Sequence, residues 1–322
     1  MSSRALTLDR VADHVGAHCF RQAPTGLVGA ELEFLVLDPS RPHQPVPLPR
    51  LRDLLDGLGP LPGGSAVTWE PGGQLELSSC ALPGPLACTA ALSADVGLVS
   101  RALAGAGLAL AGLGADPLRP PQRQLRTPRY AAMEAFFDSD AGTDPACGRT
   151  MMCSTASVQV CLDAGTDAAD VARRWSLVHA LAPVLVAAFA NSPLLGGRPS
   201  GWRSTRQAVW RGIDASRTLP PTPGAPVPSY VRFALDARVM LLRDAAGGVH
   251  RPTPGLRFRD WVTEGCDSRP GPRHPSLDDL AYHLTTLFPP VRAQGWLELR
   301  MVDAQSPATW PVVVAVVAAL VE

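Results

Sequence analysis

The chain has 322 residues and carries 29 basic against 29 acidic side chains, every basic one an arginine because the sequence contains no lysine. Balanced charge leaves no global field favouring nucleic acid or an anionic membrane surface, and the missing lysine excludes both a Schiff-base lysine and the lysine of a P-loop. The length is ample for a large core, and the seven cysteines form neither a C-x-x-C pair nor a zinc spacing, which points to a reduced, cytoplasmic protein.

In chain order, Leu6, Val11, Val15 and Cys19 lie near helical spacing and predict an amphipathic N-terminal helix. No basic patch followed by an apolar run precedes it, so no signal peptide is expected. A strand is predicted over 31–37, a proline-rich loop over 39–49 and a short helix over 51–58. The extended run 67–70, the turn Pro71-Gly72-Gly73 and the returning run 74–78 predict a hairpin that brings Glu70 near Glu76.

Residues 86–112 predict a core helix, 128–137 a further helix, 154–162 an alternating strand, and 168–191 a long helix interrupted or kinked at Pro183. The segment 191–218 has the character of a loop and carries Arg198, Arg203, Arg206, Arg211 and Arg217. A proline-rich linker or lid over 220–228 leads to a predicted strand over 230–242, and 277–287 predicts a helix. The apolar run 312–321 falls well short of the roughly 20 residues of a membrane helix and predicts a core helix, so no membrane span is expected.

Four stretches place polar groups at every second residue: Glu31 and Glu33, Gln74 and Glu76, Ser157, Gln159 and Cys161, and Glu298 and Arg300. In an extended strand, residues two apart point to the same side. If these strands share a sheet, one face packs on a core while the other gathers carboxylates, which repel across strands and are not buried unpaired. Bound divalent metal is the simplest explanation. The ordinary alternative for one isolated E-x-E is a solvent-facing edge strand; several such strands together argue against it.

The strings Gly29-Ala30-Glu31-Leu32-Glu33-Phe34, Glu70-Pro71-Gly72-Gly73-Gln74-Leu75-Glu76-Leu77-Ser78 and Met151-Met152-Cys153-Ser154-Thr155-Ala156-Ser157-Val158-Gln159-Val160 resemble the glutamate-cysteine ligases of the plant-type and actinobacterial branch. Ala190-Asn191-Ser192-Pro193, Gly201-Trp202-Arg203-Ser204-Thr205-Arg206, the segment 230–236, and 283–292 followed by Leu297-Glu298-Leu299-Arg300 extend the resemblance in the family's order over about 26–310. The branch includes the ligase of ergothioneine biosynthesis.

The resemblance implies an α+β fold like the glutamine synthetase catalytic domain: a curved, mostly antiparallel sheet with helices on its outer face. It implies ATP-dependent phosphorylation of the γ-carboxylate of L-glutamate, followed by attack of the L-cysteine amine to give γ-glutamylcysteine. Glu31, Glu33, Glu76 and Glu298 are then the first choices as ligands for Mg²⁺, with Mn²⁺ also suited; Glu70 and Gln159 are ligands or neighbours of ligands. Arg300, beside Glu298, would stabilise charge on the phosphoryl group or pair with Glu298. Arg149, Arg203 and Arg206 are candidates for gripping the glutamate α-carboxylate or ATP phosphates, and Tyr230 and Trp202 for lining the pocket or packing. Glu76→Gln and Glu298→Gln are each expected to abolish turnover with little loss of fold.

Two departures stand out. Cys161 occupies a position where relatives usually carry asparagine. The family's chains normally continue past this end, so the expectation is a single catalytic domain over 1–322 lacking part of a C-terminal helical region. A related ligase with another amine acceptor, or a non-catalytic binder of glutamate or nucleotide, are the alternative readings.

Overall fold

The computed structural model describes residues 6–139, 143–244, 246–266 and 273–322. Its strands are β1 (Leu27–Leu37), β2 (Ala66–Trp69), β3 (Leu75–Ser78), β4 (Leu82–Pro83), β5 (Ala109–Ala111), β6 (Ser157–Asp163), β7 (Leu194–Leu195), β8 (Arg198–Pro199), β9 (Leu242–Arg243), β10 (Val249–His250), β11 (Val291–Ala293) and β12 (Trp296–Asp303). The principal sheet runs β11-β12-β6-β1-β3-β2 with every neighbour antiparallel, and β4 and β5 also pair with β1. The fold is thus α+β, built on an open antiparallel sheet.

The alternating pattern explains the sheet's two faces. Leu32 and Phe34 of β1, Leu75 and Leu77 of β3, Val158 and Val160 of β6, and Leu297 and Leu299 of β12 are all buried in one core cluster. Helices Gly84–Gly105, Ala168–Ala188 and Trp310–Val321 pack on these strands. Trp310, Val313, Val314, Val317 and Val321 are fully buried, so the last helix belongs to the core. The first two of these helices are long and apolar enough to cross a membrane by length and composition, yet both contribute buried side chains to this core.

The predicted hairpin is present: Thr68 pairs with Glu76 and Trp69 with Leu75. Its turn closes through Gly73 N–H to Glu70 O (2.8 Å) and Glu70 N–H to Gln74 O (2.9 Å). Gly73 sits at φ +90°, and a Cβ on Gly72 would fall 2.1 Å from the Cys153 carbonyl oxygen, so both glycines serve the turn and its packing.

Three expectations are corrected. The segment 230–242 is not a strand: helix Pro226–Asp236 occupies most of it, begun by proline in its first turn, and Tyr230, Ala234 and Leu235 form its buried face at helical spacing. The arginine-bearing loop contains helix Thr205–Gly212, capped by the Ser204 hydroxyl, which accepts from Gln207 N–H. The predicted long helix is present as Ala168–Ala188, and only its interruption at Pro183 is corrected, because the helix continues through that residue.

Candidate active site

The polar face of the sheet floors a pocket of about 290 Å³. Register brings its side chains together: Glu33 lies opposite Glu76, Glu31 opposite Gln159, and Glu298 opposite both Cys161 and Arg292. The walls come from helix Pro128–Ser139 (Arg129, Tyr130, Met133), helix Pro145–Ser154 (Met151, Met152) and helix Thr205–Gly212 (Arg206, Trp210).

One half of the pocket is acidic. Carboxylate oxygens of Glu33, Glu70 and Glu76 all lie within 4.8 Å of one another. Burial, then the charges of Glu33 and Glu76, push the Glu70 carboxyl up to about 8. Burial, then Glu298 and Glu76, likewise push Glu31 to about 8. Burial and Glu76 raise Glu33 as well. Glu33 is nonetheless fixed, accepting from Ser157 N–H (2.9 Å), Ser157 Oγ (2.9 Å) and Gln159 Nε2 (2.8 Å), while one Glu76 oxygen accepts from Thr68 Oγ1 (2.5 Å) and Ser78 Oγ (3.2 Å). An all-oxygen cluster with excess negative charge suits a hard divalent cation such as Mg²⁺ or Mn²⁺ and offers nothing to a thiophilic one.

The other half is cationic. Glu298 is fully buried and accepts from Arg292 Nε (2.6 Å) and Nη2 (2.9 Å), Arg300 Nη1 (2.6 Å) and Gln294 Nε2 (2.7 Å). Burial alone would raise its carboxyl, but Arg300 and Arg292 outweigh that and hold it down at about 2. Arg300 Nη1 also donates to Gln159 Oε1, joining the two halves. Arg206 is buried, donates from Nη2 to the Arg300 carbonyl (2.9 Å), and lies 5.5 Å from the centre of the Trp210 ring.

Of the residues singled out in the sequence, Glu31, Glu33, Glu70, Glu76, Gln159, Arg206 and Arg300 all line the pocket. Glu298 is not among the lining residues: it is fully buried on β12 between Arg292 and Arg300, with both oxygens engaged by those arginines. Arg149, Arg203 and Tyr230 do not line it. Arg149 is paired with Asp138 at 2.6 Å, Arg203 is exposed in the loop before helix Thr205–Gly212, and Tyr230 is fully buried against Phe20 and Trp175. Trp202 is 54% exposed, and His283 is buried on Phe258 with Nε2 2.9 Å from the Ala234 carbonyl. Sequence reasoning missed Arg292, Arg129, Tyr130 and Trp210. Arg292 was within reach: Gln294-Gly295 separates two alternating runs, a hairpin signal that sets Arg292 opposite Glu298.

A pocket floored by clustered carboxylates and buried arginines has the charge pattern of an enzyme that acts on anionic substrates, and its carboxylate trio has the donor set that suits a divalent cation. A family model described as glutamate-cysteine ligase family 2 (GCS2) matches residues 27–322, and the chain belongs to that family. It is 42% identical over 315 residues to the glutamate-cysteine ligase EgtA of Mycobacterium tuberculosis, covering 97% of this chain and 72% of the relative. To EgtA of Mycolicibacterium smegmatis it is 44% identical over 322 residues, covering 98% and 73%. A chloroplastic glutamate-cysteine ligase of Medicago truncatula is 32% identical over 252 residues, covering 76% of this chain and 48% of the plant protein.

Proposed function

We propose that the protein ligates the γ-carboxylate of L-glutamate to the amine of L-cysteine at the expense of ATP, forming γ-glutamylcysteine. The observation that carries this reading is the division of one pocket into a carboxylate trio and an arginine group, in a chain of the glutamate-cysteine ligase family. A cytoplasmic location and a place in ergothioneine supply belong to the same reading, which likeness to the mycobacterial EgtA ligases supports; likeness to the glutamine synthetase catalytic domain belongs to it too, and the open antiparallel sheet with helices against it is consistent with that fold.

Activating a carboxylate with ATP brings a nucleophilic anion against a polyphosphate, so the repulsion between them must be cancelled. Glu33, Glu70 and Glu76 would hold the cation, with Glu31 and Gln159 beside them, and Mg²⁺ or Mn²⁺ bound there would supply charge neutralisation for the phosphates. Arg300 from the floor and Arg206 from the wall helix present positive charge beside the carboxylates, where it would stabilise the γ-glutamyl phosphate oxygens as charge accumulates on them. Glu298 keeps Arg292 and Arg300 in place through charge-assisted hydrogen bonds, and it is a further cation ligand if one of its oxygens is released from these contacts. The acyl phosphate is already activated, so the incoming amine needs no cysteine nucleophile on the protein. Glu76→Gln tests the reading: turnover of ATP with glutamate and cysteine is lost, whereas near-parental turnover would remove the cation site from the mechanism.

A further inference from the structure

β12 is irregular where it matters. Its pairing with β6 shifts register between Leu299 and Val302, so Arg300 and Met301 are skipped by that ladder. Their two carbonyls are taken up by side chains of helix Thr205–Gly212: Arg206 Nη2 donates to Arg300 O (2.9 Å) and Gln207 Nε2 to Met301 O (2.8 Å). The bulge that begins at Arg300 therefore also seats Arg206.

What places that helix is a buried carboxylate just beyond the bulge. Asp303 is 1% exposed and lies outside the pocket lining. Its Oδ2 accepts from Asn191 N–H (2.9 Å) and Ser192 Oγ (2.7 Å), and its Oδ1 from Ser204 Oγ (2.9 Å). Ser204 caps the helix, accepting from Gln207 N–H (3.2 Å), while Ser192 Oγ accepts from Arg206 N–H (3.1 Å). Gly114 leaves the room this requires, because a Cβ there would fall 2.4 Å from the Asp303 carboxyl carbon. Both Arg206 Nε and Arg300 Nε are buried without a hydrogen-bond partner among the described residues. Such donors are costly to leave unmade, which marks this pair as built for an anion.

We infer that Asp303 is a positioning residue for the ligation site: through Ser192 and Ser204 it sets the start of helix Thr205–Gly212 and so fixes Arg206 beside Arg300. This rests on the proposed function above, because it assumes that Arg206 meets an anionic substrate. Asp303 touches no substrate itself. It acts through two serines, and its loss should act through Arg206 alone.

The test is a cycle of Asp303→Asn, Arg206→Ala and the double variant, read by KM for glutamate and ATP and by calorimetric binding of glutamate and Mg-ATP. Asparagine keeps the shape but removes the charge and one acceptor. The expected result is a KM or dissociation constant raised about tenfold or more for one substrate in Asp303→Asn, with no further loss when it is added to Arg206→Ala, since coupled residues are non-additive. Ser192→Ala, a milder change, should move the same constant in the same direction, which keeps the inference testable if Asp303→Asn folds poorly. An effect of Asp303→Asn that persists in full on the Arg206→Ala background, or a lowered melting temperature with unchanged constants, would overturn it. A parent protein that neither turns over nor binds these substrates would instead overturn the proposed function itself, and this inference with it.

Discussion

Glu298→Gln separates a carboxylate that holds the site together from those that gather around a cation. The parent residue neutralises two guanidiniums whose side chains are only 15% and 13% exposed, through contacts of 2.6 Å to each. Removing one member of a buried ion pair costs roughly 3–5 kcal/mol, because the remaining charge is stranded. Glu31 already interacts with both arginines and takes over part of the neutralisation, so the low end, about 3 kcal/mol, is expected. At about 2 °C per kcal/mol for a chain of this size, the melting temperature falls by about 6 °C. That revises the sequence-based expectation of little loss of fold. The assay is thermal unfolding of parent and variant in chelator, where no cation contributes. A Glu298→Gln variant melting within about 1 °C of the parent would refute the claim that Glu298 balances the arginines.

Further predictions follow from the same geometry. Mg²⁺ or Mn²⁺ at a hundredfold excess over its Kd should stabilise the parent by about 2.7 kcal/mol, and calorimetry should show no such gain in Glu76→Gln; equal shifts in both proteins would dismiss the carboxylate trio. Asp214 is buried, and although burial opposes it, Arg217, Arg238 and Ser216 hold its carboxyl below the usual value. Its contribution is therefore fully present above the unfolded value of 3.8 and is lost as pH falls through the lower folded value. The stability gap between parent and Asp214→Asn, measured by denaturant titration, should shrink below about pH 4, and a constant gap would contradict the pairing. Arg149→Ala and Arg203→Ala should keep KM for both substrates within about twofold, as expected of surface positions, whereas Arg206→Ala should not; a large effect of either surface arginine would return it to the substrate set.

The floor of the site was legible because strands have a short period. Glu31 and Glu33, Gln159, and Glu298 and Arg300 fall on one face by simple alternation, and the glycine turn at 72–73 fixes the hairpin that delivers Glu70 and Glu76. The walls were not legible, because they come from short helices in proline- and arginine-rich sequence. Tyr230, Val231 and Phe233 favour a strand by propensity, but Pro226 and Pro228 begin a helix and the tertiary core buries Tyr230, Ala234 and Leu235 on one side. Arg206 and Arg203 look alike in sequence. Only the cap at Ser204 turns the first inward while the second stays exposed. The ranking of the carboxylates also needed three dimensions: Glu70 sits past the end of β2, and only the turn geometry shows that it joins Glu33 and Glu76.

The most direct test of the account is phosphate release from Mg-ATP with L-glutamate, in the presence and absence of L-cysteine, followed by mass analysis of the product. Cysteine-dependent release with formation of γ-glutamylcysteine is the predicted result. Glutamate binding without phosphate release in the presence of cysteine or any of a panel of other amines would contradict it.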